Sequence, residues 1–166
     1  MKRLATVGIL VCSCIPAYVA DDPVIDAETR AYSAYVSDVS RLDGVFHGVV
    51  DYCEPLVPHL IIEQSKAAWQ QHNGQYIDAV DLAIERFASA RVEPDRKAGA
   101  IRQLKENART WFQAAHDKSK LLDELHAADN KEFACSNLLG VMSSESFYRR
   151  KMPPADDEYW ARNLRP

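Results

Sequence analysis

Apolar side chains recur at helical spacing along most of the chain. From residue 27 to residue 53 most of them stand three or four positions apart, which aligns them along one side of a helix. This stripe comprises Ala31, Tyr35, Val39, Leu42, Phe46, Val49, Val50 and Cys53. The pair Asp43-Gly44 leaves open whether one bent helix or two helices carry it. No alternating run rich in β-branched residues reaches strand length, so the pattern predicts an all-α fold.

Proline and glycine divide the middle of the chain. Pro55 and Pro58 suit the start of a helix, and the apolar spacing then predicts a helix over residues 56–72. The pair Asn73-Gly74 predicts that this helix ends, because glycine readily adopts the left-handed conformation found after helices. A second helix is expected over residues 75–90. Its apolar face comprises Tyr76, Ile77, Val80, Ala83, Ile84 and Phe87.

A heptad pattern follows residue 93. Pro94 and its acidic neighbours suit a first helical turn, and a helix of roughly 33 residues, about 50 Å long, would follow. Its seam comprises Ile101, Leu104, Ala108, Trp111, Ala115, Lys118, Leu122 and Leu125, and only Lys118 is polar. A kink near residues 117–119 is the alternative. With a last helix over residues 131–142, we predict a single-domain bundle of about five helices spanning residues 21–142, one of them long.

The first 20 residues have the pattern of a secretory signal peptide. Lys2 and Arg3 precede an apolar run over residues 4–15, and Ala20 precedes an acidic turn. The run is shorter than the roughly 20 apolar residues that span a bilayer. The alternative is a lipid anchor on Cys14, in a loose lipoprotein box. No later segment resembles a transmembrane helix, so we expect a periplasmic or secreted protein.

Cleavage after residue 20 would leave two cysteines, Cys53 and Cys135. Two cysteines in an oxidising compartment most simply form one disulfide bond. The alternative, a redox-active or metal-binding thiol, has little support because no Cys-x-x-Cys motif is present beyond residue 20. The disulfide would join the first helix to the last helix of the predicted bundle.

Composition and charge narrow the function. The chain is 47% hydrophobic and 27% charged, which is typical of a globular protein. Without its first 20 residues it has 18 basic and 24 acidic side chains, a net charge of −6. This charge argues against a nucleic-acid partner, and the basic residues 149–151 are interpreted as a solvated helix end.

Catalytic and cofactor motifs are missing from the sequence. It contains no Gly-x-Ser-x-Gly elbow, phosphate-binding glycine loop, His-Glu-x-x-His pair or haem-attaching Cys-x-x-Cys-His. We therefore predict neither an enzyme nor a cofactor. Two pairs on helix faces, His47 with Asp51 and His59 with Glu63, keep a metal-binding or enzymatic bundle as an alternative, although such pairs are also ordinary surface pairs. A third hypothesis is a module that oligomerises through an exposed seam over residues 101–125.

Two groups of residues are candidates for binding a partner. Asp78, Asp81 and Glu85 form a negative stripe opposite an apolar helix face, which is either solvated or suited to a cationic partner. Tyr159 and Trp160 belong to a tail over residues 143–166, which either packs back, with a short helix, or stays exposed as a recognition segment. The favoured hypothesis is a non-enzymatic inhibitor or immunity-type protein that binds another periplasmic protein.

Overall fold

The computed structural model describes residues 26–144 and 154–165, and these contain six helices and no strand. The predictions for the signal peptide, Cys14 and the basic residues 149–151 lie outside the described residues. Among the described helices, none combines the length and apolar character needed to cross a bilayer. The helices are α1 (Ala27–Cys53), α2 (His59–Arg91), α3 (Pro94–Asp117), α4 (Lys120–Ala127), α5 (Lys131–Met142) and α6 (Pro154–Asn163).

Helix α1 is a single helix, which settles the question left open at Asp43-Gly44. Its first turn is capped by Asp26, whose Oδ1 accepts a hydrogen bond from the Thr29 backbone N–H at 2.8 Å. Arg91, at the end of α2, donates to both Asp26 and Glu28. The hydrogen bonds from Arg91 and Thr29 hold the pKa of Asp26 well below its usual range. These contacts fix the start of α1 beside the end of α2.

The predicted break at Asn73-Gly74 is wrong, because α2 runs through it. Asn73 is fully buried, and its side-chain amide donates to the Trp69 carbonyl oxygen one turn earlier at 3.2 Å. Trp69 and Tyr76 on either side are also buried, so core packing continues across the pair. Glycine inside a helix costs roughly 0.5–1 kcal/mol relative to alanine, and burial of these large rings exceeds that cost.

The predicted long helix is divided at the polar position in its seam. Helix α3 ends at Asp117, Lys118 has an extended conformation, and Ser119 caps α4 by accepting from the Leu122 N–H at 3.3 Å. The alternative of a kink near residues 117–119 is thus closer to the structure than an unbroken helix. Apolar seam residues on both sides of the division belong to the core or pack against it: Ile101, Leu104, Ala108, Trp111, Leu122 and Leu125.

Helices α1 and α3 lie parallel and approach closely at two glycines. A Cβ atom on Gly44 would lie 3.1 Å from Phe112 Cα, and one on Gly48 would lie 3.2 Å from His116 Cα. The carbonyl oxygens of Phe112 and His116 would be closer still. The two helices can pack backbone to backbone here only because neither position of α1 has a side chain.

The disulfide between Cys53 and Cys135 is confirmed, as is the all-α bundle. The two Cα atoms lie 5.6 Å apart, both residues are fully buried, and the bond closes a sequence separation of 82 residues. In the chain-entropy description such a closure stabilises the fold by at most about 4–5 kcal/mol. The bond links the end of α1 to α5, as the sequence predicted.

The last helix packs back on the bundle. Tyr159 and Trp160 of α6 are buried, as is Leu164 just after it, and the rings of Tyr159 and Trp160 contact Tyr35 of α1 and Tyr76 of α2. Of the two alternatives for the tail, the structure therefore shows the short packed helix over residues 154–163. Tyr159 and Trp160 are not exposed in this arrangement.

Candidate functional site

A cavity of about 200 Å³ opens where α1, α2 and α3 meet. Most of its lining is apolar, and its polar lining groups are Ser40, Asp43, Asp81 and Arg109. The apolar lining consists of Val39, Ile77, Val80, Ala108 and Phe112. A concave, mostly apolar site with a few polar groups is the usual form of a ligand or side-chain site.

Asp43 is the least exposed charged group of this cavity. Its side chain is 16% exposed, whereas that of Asp81 is 66% exposed. Asp43 Oδ1 accepts from Trp69 Nε1 at 3.0 Å and lies 3.6 Å from His47 Nε2. Burial raises the pKa of Asp43, while the Trp69 N–H and His47 favour its charged form. A partly desolvated carboxyl in a cleft is a candidate binding group on physical grounds.

The acidic face of α2, defined by Asp78, Asp81 and Glu85, is exposed beside this cavity. Asp81 belongs to both, because it lines the cavity mouth. Lys105 of α3 donates to Asp81 Oδ2 at 2.9 Å, and this bond, with the nearby charge of Glu85, raises the pKa of Lys105. One of the three negative charges is therefore partly neutralised by α3.

His116 holds α1 and α3 together outside the cavity. Its Nε2 lies 2.9 Å from Asp51 Oδ2 on α1, and its Nδ1 lies 2.9 Å from Asp117 Oδ1. Both nitrogens can donate at once only when the imidazole is protonated. The hydrogen bonds to Asp117 and Asp51 raise the pKa of His116, and His116 and Gln113 lower that of Asp117.

We expect the contribution of His116 to stability to disappear at alkaline pH. Because its pKa is raised in the folded state, this contribution is complete below the ordinary value of 6.5 and is lost as pH rises through the raised value. Solvent screening limits it to less than about 1 kcal/mol. The stability difference between the wild type and His116→Gln, measured by urea unfolding, should be larger at pH 6 than at pH 9.

His59→Gln is the matched control for this comparison. The His59 side chain is 76% exposed, and its Nε2 lies 3.9 Å from Glu63 on the same helix. This variant should match the wild type at both values of pH. A stability difference for His116→Gln that stays constant from pH 6 to pH 9 would contradict the assignment.

The two histidine pairs predicted from the sequence have different outcomes. His59 does lie near Glu63, on an exposed part of α2. His47 contacts Asp43 one turn earlier, and Asp51 contacts His116 of α3, so the expected pairing of His47 with Asp51 is not formed. Within residues 26–144 and 154–165, no three His, Cys, Asp or Glu side chains form a set that could hold a metal ion.

Two functional features had only a weak signal in the sequence. The sequence places Asp43 in a possible turn, whereas in the structure its carboxyl lines the cavity and accepts a hydrogen bond from Trp69 of α2. Asp156 is 1% exposed although it belongs to an acidic run, and nothing in local spacing distinguishes it from its neighbours. The one local signal for the position of Asp43 is Trp69, because a buried indole N–H needs a hydrogen-bond acceptor.

Comparison of the chain with protein-family models, curated proteins and solved structures finds no match to any of them. The site is therefore interpreted from its own geometry.

Proposed function

We propose that the chain is a non-catalytic protein of the inhibitor or immunity type, which binds a basic protein partner after export. The observation that carries the proposal is the placement of the exposed acidic face of α2 directly beside the cavity that holds Asp43. Charge on an exposed face steers association, and an adjacent concave site can receive an anchoring side chain.

The disulfide supports the proposed compartment. A buried bond between Cys53 and Cys135 is expected in a protein that folds under oxidising conditions, such as a periplasm or an extracellular space. It also makes the bundle a rigid support for a binding surface, because it joins the end of α1 to α5.

The proposal predicts that the acidic face is required for binding. In a variant with Asp78→Asn, Asp81→Asn and Glu85→Gln, we expect the partner to bind at least about tenfold more weakly at low salt. The partner would be captured by crosslinking in periplasmic extract of the source cells. Its affinity for purified wild type and variant would then be measured by calorimetry at two salt concentrations.

A matched control removes the same charge elsewhere. Glu54, Glu106 and Glu124 are exposed on other parts of the bundle, and changing all three to glutamine alters the net charge by the same amount. This control should retain wild-type affinity. Equal weakening by both triple variants would mean that only net charge matters, and equal affinity of all three proteins would exclude the acidic face.

A further inference from the structure

We infer that the cavity between α1, α2 and α3 is an anchor site for one lysine or arginine side chain of a protein partner. The inference rests on the proposed function and specifies how that partner would be recognised. Three features of the cavity carry it: the position of its negative group, the polar atoms still able to accept hydrogen bonds, and the apolar lining.

The negative group Asp43 is less exposed than the positive groups at and beside the cavity. Asp43 is 16% exposed, whereas Arg109 is exposed, and the Lys105 side chain is 41% exposed where it binds Asp81. An occupant whose charged end reaches the inner part of the cavity therefore meets a carboxylate first. That end must donate hydrogen bonds, and a cation is favoured over a neutral donor because it also compensates the charge of Asp43.

Two acceptors line the cavity, the Asp43 carboxyl and the Ser40 hydroxyl. Asp43 uses Oδ1 for the Trp69 N–H, and among the described residues its Oδ2 has no hydrogen-bond partner. Ser40 lies three residues earlier on α1, so its hydroxyl is on the same helix face and also lines the cavity. A lysine ammonium has three donors and a guanidinium has five, so either could bind both groups.

The lining matches the rest of a long basic side chain. Lysine and arginine have apolar stems of three or four methylene groups, which pack well on aliphatic and aromatic surface. Val39, Ile77, Val80 and Phe112 provide such surface in the lining of the cavity. At the mouth, the acidic face of α2 attracts the cation, while Arg109 repels it and limits the affinity.

The test uses N-acetyl-lysine amide as the probe, so it requires no identified partner. Titration followed by NMR should give saturable shifts of the Val39, Ile77 and Val80 methyl signals, with a dissociation constant on the order of 1 mM. N-acetyl-norleucine amide has the stem without the charge and should bind at least about tenfold more weakly.

Two variants separate a cation site from a site for a free amino acid. Asp43→Asn retains an acceptor for the Trp69 N–H but removes the negative charge, and should raise the dissociation constant of the lysine probe at least about tenfold. Arg109→Gln removes a repelling charge from an exposed position, and should lower the dissociation constant of the lysine probe about twofold to fivefold. Far-UV circular dichroism would check that both variants fold, and Arg109→Gln keeps the test decisive if Asp43→Asn does not.

The contrary results are equally specific. One contrary result is that free lysine binds, that the blocked probe does not bind, and that Arg109→Gln weakens the binding of free lysine. The cavity would then recognise an amino-acid carboxylate, and the inference would be wrong. Absence of saturable shifts with any probe also overturns it. Failure of the lysine probe would leave the proposed function standing if the triple variant of the acidic face still loses its partner. If the lysine probe binds but the partner ignores that face, only the proposed function fails.

Discussion

Replacing Gly48 with alanine is expected to lower the free energy of unfolding by about 1–3 kcal/mol, although alanine is normally the better helix former. The added methyl group would overlap the carbonyl of His116, and backbone cannot move aside as a flexible side chain can. Helices α1 and α3 must therefore separate, which weakens the packing along their whole interface. Gly44→Ala should act in the same way at Phe112. Urea unfolding at neutral pH would measure both.

Gly99→Ala is the control of opposite sign. Gly99 lies inside α3, and a Cβ atom built on it meets nothing within 4 Å. Here alanine should raise stability by about 0.5–1 kcal/mol. The double variant at Gly44 and Gly48 should cost less than the sum of its parts, because one separation of the helices accommodates both methyl groups. A stability gain for Gly48→Ala would show that α1 and α3 do not approach this closely at Gly48.

These glycines illustrate what the sequence could not predict. Helical spacing of apolar residues correctly predicted an all-α bundle, because that pattern depends only on which side of each helix avoids water. The sequence alone predicts a turn or bend at Gly44 and a helix end at Gly74, since glycine has those roles when no packing partner is considered. In the bundle Gly44 is a point of close approach to α3, which is a property of two helices and not of one segment.

The break after Asp117, unlike the close approach at Gly44, does have a signal in the local sequence. Lys118 was the polar position in an otherwise apolar seam, and Ser119 follows it with a side chain suited to capping. Both local signals agree with the observed division into α3 and α4. The sequence therefore carries local signals for the break, but the continuous heptad spacing favours a single helix more strongly.

The candidate site was predictable only in part. Asp78, Asp81 and Glu85 share a face because they lie three and four residues apart, and all three are exposed. The cavity beside them depends on small residues of separate helices, Ser40 and Ala108, which meet only after folding. Local spacing also suggested that His47 would pair with Asp51, but His116 binds Asp51 from another helix.

Docking of α6 should weaken as pH rises from 5.5 to 8. Asp156 is 1% exposed, its two oxygens have no hydrogen-bond partner within residues 26–144 and 154–165, and the carboxyl of Asp38 on α1 faces it. Two carboxyls can hydrogen-bond to each other only through a proton that one of them retains. Burial, together with Asp38, raises the pKa of Asp156 from 3.8 to about 7.

The sign of the effect follows from this raised pKa. The stabilisation is complete below about pH 4, where Asp156 is protonated whether or not α6 is docked, and it is lost as pH rises towards 7. The full loss is about 4 kcal/mol at most, since one unit of pKa corresponds to about 1.4 kcal/mol. Of the other groups nearby, Tyr35 on α1 and Tyr159 on α6 have pKa values raised chiefly by burial, and Arg86 of α2 favours ionisation of Tyr159. None of these shifts moves a tyrosine into the range from pH 5.5 to 8.

Hydrogen exchange would measure the docking directly. Protection factors of the α6 amides, corrected for the intrinsic rate, should fall at least about tenfold between pH 5.5 and pH 8, while those of central α2 amides change less. In Asp156→Asn the fall should vanish, because the amide does not titrate and can donate to the Asp38 carboxylate. Protection at pH 8 should then exceed that of the wild type.

Glu158→Gln is the matched control, since Glu158 lies on the same helix with an exposed side chain. It should retain the wild-type pH dependence. The same dependence in Asp156→Asn would assign the titration to another group, and constant protection in the wild type would mean that α6 stays docked with both carboxyls charged.

If α6 does leave the bundle at higher pH, Tyr159 and Trp160 lose their contacts with Tyr35 and Tyr76 and become accessible to a partner. A pH-dependent capture experiment should then include the double variant Tyr159→Ala/Trp160→Ala, which would lose only the binding gained above pH 7.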